Sequence, residues 1–269
     1  MSYCLGINTT DGLVLASDSR SSAGADRMNL CQKMHQFILP GERVFIILTT
    51  GSLSLSQSVI TLLRQDFEAG KGLAKAESMY DAARVVGSMV RRISDLDRAA
   101  LEKDDIRFNV NLILGGQIKG GPHELFLIYP QGNPLRSSPD SPYLQIGESK
   151  YGRPILDRGI SYESTTIYQS AKYALLSLEA TMRSNATVGP PVDLLIYRRD
   201  DLRVSLYRRL YSHDPDLIDI HNAWEKALRH AVHQLPDIRF DGGDAGTPKA
   251  GAKPPAWQEP QTIAPTERG

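Results

Sequence analysis

The sequence predicts an α+β fold in which two β-sheets stack face to face and helices cover both outer sides, a four-layer αββα sandwich. Three observations carry this prediction. Short runs rich in apolar and β-branched residues come in consecutive pairs around glycine-containing turns, as antiparallel strands do. Two long segments between these blocks place apolar residues every three or four positions, as amphipathic helices do. Strands, helices and strands then follow one another again in the second half, so blocks of strands enclose paired helices.

The elements follow in order. Tyr3-Cys4-Leu5-Gly6-Ile7-Asn8 and Leu13-Val14-Leu15-Ala16-Ser17 flank Thr10-Asp11-Gly12, a tight turn in which glycine supplies a positive φ. Lys33 to Leu39 and Val44 to Thr50 form two more strands joined at Pro40-Gly41. A helix from Leu53 to Phe67 carries Leu55, Val59, Leu62, Leu63 and Phe67 on one face. A second, from Glu77 to Glu102, carries Met79, Ala82, Val86, Met89, Val90, Ile93 and Leu96, a stripe that reads as helix packing. Strands at Phe108 to Ile118 and Glu124 to Pro130 turn at Lys119-Gly120-Gly121-Pro122, and Tyr143 to Ile146 adds another. Helices from Arg153 to Gly159 and Ser164 to Ser184 precede strands at Val192 to Arg199 and Arg203 to Tyr211. The last helix, Asp216 to Gln234, bears Ile218, Ile220, Trp224, Leu228 and Val232.

Residues 1–240 therefore read as one domain, which 269 residues that are 41% hydrophobic suffice to fill. From Asp241 the chain turns to glycine, proline and alanine, with too few apolar groups to offset the entropy of ordering, so residues 241–269 read as a disordered tail with an exposed Trp257. Thirty-one basic and 31 acidic residues balance, which argues against nucleic acid or an anionic membrane as partner. No apolar stretch approaches the roughly 20 residues needed to cross a bilayer, and a cytoplasmic enzyme is expected. Cys4 and Cys31 read as buried small hydrophobes in a reducing compartment. His230 and His233 sit three apart on the last helix without a third ligand, so no metal is assigned.

The chemistry-bearing feature is the start of the chain. Once Met1 is removed, Ser2 carries a hydroxyl nucleophile and an α-amine, whose pKa of roughly 8 suits it to act as the base. The turn at Thr10-Asp11-Gly12 makes the first two strands antiparallel, which brings Asp18 within a residue or two of Ser2 and Tyr3. A buried lysine at the same point would complete a proton-handling group, and Lys33 is the candidate.

These residues, with Asp18-Ser19-Arg20 following a Gly-Leu-Val-Leu-Ala-Ser strand and Ser22-Ala23-Gly24 beyond it, resemble a proteasome β-type subunit from Ser2 to about Leu235. The opening Ser2 to Ile7, the run Ile146 to Leu156 and the run Gly189 to Leu195 are most similar to Anbu, the bacterial ancestral β-subunit branch related to the proteasome and the HslV protease. The resemblance implies the sandwich of the N-terminal nucleophile hydrolases, with the nucleophile at Ser2, the aspartate at Asp18, the lysine at Lys33 and the oxyanion-stabilising amide at Gly51. The Gly51 position suits that role because backbone N–H groups at a helix start lack partners.

The chain also departs from the family's pattern. Serine replaces the usual threonine and lacks the methyl group that restricts χ1. The accessory serine falls on Glu148 in Gly147-Glu148-Ser149, and the second accessory pair falls on Asn185 and Val188. A second oxyanion donor is expected near Glu148 or Ser149. The resemblance implies a peptidase acting on peptides or unfolded protein without a cofactor, self-associated as a ring or open spiral. No residue names an ATPase or unfoldase partner. Two other readings stay open, a narrower amidohydrolase for small molecules or modified peptides, and a weakly catalytic assembly scaffold.

Overall fold

The computed structural model describes residues 2–22, 28–204 and 206–238. The first sheet contains β1 (Tyr3–Thr9), β2 (Gly12–Ser17), β10 (Tyr143–Gly147), β11 (Val192–Arg198) and β12 (Leu206–Leu210), in the order β10-β1-β2-β11-β12. The second contains β5 (Met34–Leu39), β6 (Arg43–Gly51), β7 (Val110–Ile118), β8 (Glu124–Ile128) and β9 (Pro134–Arg136), in chain order. Every pairing in both sheets is antiparallel. A small ribbon pairs β3 (Arg20–Ser22) with β4 (Met28–Leu30).

Strand alternation sorts the side chains into three apolar layers. Cys4, Leu13, Leu15, Leu48, Ile113, Leu125, Leu144 and Ile146 fill the space between the sheets. Their neighbours Tyr3, Leu5, Val14 and Ala16 face α3 (Arg153–Gly159) and α4 (Ile167–Ser184). Phe45, Ile47, Leu112 and Phe126 face α1 (Leu53–Glu68) and α2 (Met79–Lys103). Because β1 and β2 are buried on both faces along their whole length, their register is tightly specified.

Helix starts shift to where side chains cap them. The helix expected from Glu77 begins at Met79, because Ser78 accepts a hydrogen bond from the Asp81 N–H. The one expected from Ser164 begins at Ile167, behind a reciprocal capping box of Thr166 and Gln169. Leu96, assigned to the packed stripe of α2, is exposed. Cys31, expected to be buried, is only half-buried, whereas Cys4 is fully so.

The compact unit runs to Leu228, and α5 (Pro215–His233) continues past it. No residue of α5 is fully buried, but Leu217 and Ile220 of its amphipathic face pack against the helix-side core of the first sheet. Residues 241–269, read as a disordered tail, lie outside the described residues. Among the described residues no helix is long and apolar enough to cross a membrane, and no group of three His, Cys, Asp or Glu could hold a metal ion.

His35 on β5 supplies a prediction about pH. Burial, reinforced by the Arg64 guanidinium, pushes its pKa down from 6.5 to about 4. A group depressed on folding favours the unfolded state once protonated, so its contribution is complete above 6.5 and is lost as pH falls toward about 4. His35→Gln should flatten the decline in urea-unfolding stability across that window and leave stability at higher pH much less affected.

Candidate active site at the start of β1

Three backbone contacts hold the beginning of β1. The Tyr3 carbonyl accepts the Asp18 N–H at 3.1 Å, and the Ser2 carbonyl accepts the Glu148 N–H at 2.8 Å. The Tyr3 N–H donates to Asp18 Oδ1 at 2.9 Å. Side-chain anchoring adds to this, since Tyr3 is fully buried with its phenol 2.6 Å from Ser177 Oγ and within reach of the Gln145 amide. Burial pushes that phenol up to about 12, so it stays neutral. The register Cys4 opposite Ser17 is what carries Asp18 to Tyr3, as the hairpin predicts.

Asp18 has no exposed surface and is fully matched by donors. Besides Tyr3, Oδ1 accepts from Lys33 Nζ at 2.5 Å, while Oδ2 accepts the N–H groups of Arg20 at 3.1 Å and Gly189 at 3.3 Å. Lys33 is equally enclosed, at 3% exposure, and also donates to the Arg20 carbonyl. Burial pushes the Asp18 carboxyl above its usual value, and the Lys33 ammonium and the N–H donors oppose that shift. The pair is an ion pair that neither partner can leave cheaply.

Gly51 ends β6 at a φ of +103°, and a Cβ there would lie 2.3 Å from the Asn109 carbonyl oxygen. Gly51 is the last residue of β6 and precedes the Ser52 N-cap of α1, so the direction of its amide follows strand alternation and not the helix start. The Ser52 N–H donates to Asn109 across β7 and the Thr49 N–H donates to Lys33 on the β5 side. Alternation turns the Gly51 N–H toward the β5 side too, beyond the point where β5 begins at Met34. Gly147 is the matching constraint on β10. At a φ of +84° it passes so near β1 that a Cβ would lie 2.0 Å from the Ser2 carbonyl oxygen.

The two departures from the family pattern touch each other. Asn185 Nδ2 donates to Glu148 Oε2 at 3.0 Å, and Lys150 approaches Oε1 at 3.5 Å. Asn185 Oδ1 accepts from the Thr187 N–H at 3.0 Å and its hydroxyl at 2.7 Å. A glutamate at 148 therefore suits an amide at 185, where an aspartate would set two carboxylates together. Val188 is core and offers no polar group. Ser149 contributes backbone, bonding to Gly147 and Arg153 in the turn before α3.

Ser2, Gly51 and Gly147 border one cavity of about 550 Å³, with Thr50, Asn109, Asn111, Leu127, Tyr129, Gln145 and Ile146. Arg20 and Gly189, which the spacing around Ser2 does not point to, complete the donors of Asp18. Arg20 also donates to the Ala186 carbonyl at 2.8 Å, which ties the 185–189 segment to the site. Their signal was present in the Asp-Ser-Arg tripeptide and the Gly-Pro-Pro run.

Two outcomes follow for stability. Lys33→Met leaves Asp18 buried without its cation and should cost about 3–5 kcal/mol in urea unfolding, with part recovered when Asp18→Asn is added. Gly147→Ala should lower stability by about 1–3 kcal/mol, because it meets both a positive φ and the Ser2 carbonyl. A melting curve unchanged from wild type would contradict the close approach.

The sequence matches the family model for a proteasome subunit over residues 2–196. A proteasome subunit beta of Haloquadratum walsbyi is 26% identical over 202 residues, 75% of each chain. Anbu, the ancestral beta-subunit, from Yersinia bercovieri is similar at a TM-score of 0.83 and 40% identity, over 88% of this chain and 99% of that one. The Anbu complex of Pseudomonas aeruginosa, solved as a helical assembly, is similar at a TM-score of 0.85 and 40% identity, over 90% of this chain and 100% of that one. The chain belongs to the proteasome-subunit family, among the β-type relatives that Anbu represents.

Proposed function

We propose that this chain is a serine-type N-terminal nucleophile peptidase that acts on peptides or unfolded protein in the cytoplasm. The observation that carries the reading is the Asp18 carboxylate, which accepts from both the Tyr3 N–H and Lys33 and so locks a buried ion pair to the first residues of the chain. Removal of Met1 frees the Ser2 amine. That amine takes the Ser2 hydroxyl proton as Oγ attacks the scissile carbonyl, and the Asp18–Lys33 pair fixes the local charge. The Gly51 N–H receives the developing oxyanion, with the Glu148 segment as the opposite wall. The amine returns the proton to the leaving nitrogen, which departs as the tetrahedral centre collapses to an acyl-enzyme. Water, deprotonated by the same amine, then hydrolyses the ester and restores Ser2.

The Glu148–Asn185 pair takes the accessory place, holding the 147–149 turn against Ser2 through the Glu148 N–H. Self-association as a ring or open spiral suits the exposed apolar residues Ile218 and Leu228 of α5, and the Pseudomonas aeruginosa relative is itself a helical assembly.

Exposure to a β-lactone that acylates N-terminal hydroxyls, followed by intact-mass measurement, tests the reading. The expected result is loss of Met1, one adduct on wild type and none on Ser2→Ala. Lys33→Ala, where it folds, should acylate about 10²–10⁴-fold more slowly. A retained methionine, or a processed chain without an adduct, would overturn the proposal.

A further inference from the structure

The cavity beside Ser2 is the open end of the layer between the sheets, and its chemistry differs from the rest of that layer. Along β6, Val44, Ile46 and Leu48 face the opposite sheet, and the next residue of that parity is Thr50. On β7 the parity of Ile113 leads back to Asn111 and Asn109, and on β8 that of Leu125 and Leu127 leads on to Tyr129. Cys4 on β1 leads back to Ser2. An apolar layer thus ends in a polar mouth at the candidate nucleophile, with Leu127 and Ile146 as its apolar floor.

None of the side chains lining this mouth carries a charge, and the α-amine of processed Ser2 is the group at its edge that ionises near neutral pH. Asn111 Nδ2 donates to Asn109 Oδ1 at 3.1 Å, which leaves Asn109 Nδ2 as a donor and Asn111 Oδ1 as an acceptor without a protein partner among the described residues. Exchanging oxygen and nitrogen in both amides leaves the same complement of one donor and one acceptor. The Thr50 hydroxyl is buried and has no hydrogen-bond partner among the described residues, although Thr50 borders the cavity and is only 5% exposed. A buried hydroxyl without a partner is costly, and a ligand group reached by a turn about χ1 would remove that cost.

Resting on the peptidase reading of Ser2, we propose that this mouth is a substrate subsite for an uncharged side chain that both donates and accepts hydrogen bonds, a carboxamide above all, on a residue flanking the scissile bond. A carboxamide pairs its N–H₂ with Asn111 Oδ1 and its carbonyl with Asn109 Nδ2. An ammonium meets no counter-charge and is repelled by the protonated Ser2 amine, while a carboxylate finds no side-chain cation and leaves both Asn111 Oδ1 and its own hydration uncompensated. An aliphatic side chain covers the two amides and the Thr50 hydroxyl without pairing them, a mismatch that polar sites reject strongly.

The test is binding, which does not depend on turnover. Calorimetry with full-length Ser2→Ala and blocked hexapeptides carrying one Gln, Glu, Lys or Leu in an alanine background should show Gln tightest, by about five- to tenfold. Asn111→Asp should invert the order in favour of Lys, and Asn109→Asp at the exposed rim serves as the second variant should the first not fold. Equal affinities, no measurable binding, or an unchanged order in both variants would overturn the subsite. β-Lactone labelling of wild type in parallel separates the two claims. A Gln preference without a Ser2 adduct removes the peptidase reading and leaves the binding site, while an adduct without the preference does the reverse.

Discussion

A carboxylate with no solvent exposure has to be matched by donors, and the matching of Asp18 organises this end of the molecule. Its four donors come from four separate places: β1 through Tyr3, the ribbon through Arg20, the start of β5 through Lys33, and the segment before β11 through Gly189. The two sheets meet the start of the chain at that one group. Such a pair contributes little net stability by itself, since desolvation offsets most of the attraction. Its effect is positional, because removing any donor strands a buried charge, and the elements that supply the donors are held in register around Ser2.

That constraint explains why the neighbouring residues are small or rigid. Gly147 lets β10 close on the Ser2 carbonyl, and Gly51 lets β6 pass close to the Asn109 carbonyl. Glu148 can point its carboxylate away from the site because Asn185 and Lys150 receive it there. The polar mouth beside Ser2 belongs to the same geometry. Three strands of one sheet run their inter-sheet residues into Thr50, Asn111 and Tyr129 just where the other sheet presents Ser2.

Much of this was legible in the residues. The Thr10-Asp11-Gly12 turn predicts the register that brings Asp18 to Tyr3, and the three-and-four spacing in α1 and α2 predicts their buried faces. The three-residue strands β3, β4 and β9 were not legible, because so short a stretch carries no periodicity. The pairing of Glu148 with Asn185 was hidden for another reason. Each departs from the family pattern separately, and only the packing of α4 against the first sheet shows that one change suits the other. In α5 the amphipathic spacing yields a half-buried face, since Leu217 and Ile220 pack against the helix-side core of the first sheet while Ile218, Leu228 and Val232 stay exposed.

The account depends on the Ser2 amine acting as the base inside a site that the Asp18–Lys33 pair holds in place. The most direct measurement is the rate of Ser2 acylation as a function of pH, compared between the processed protein and one whose α-amine is acetylated. The account predicts a rate that rises through one ionisation in the α-amine range, roughly pH 7–8, and no acylation once the amine is blocked. An acetylated protein that reacts as fast as the free one, with its fold intact, would contradict it.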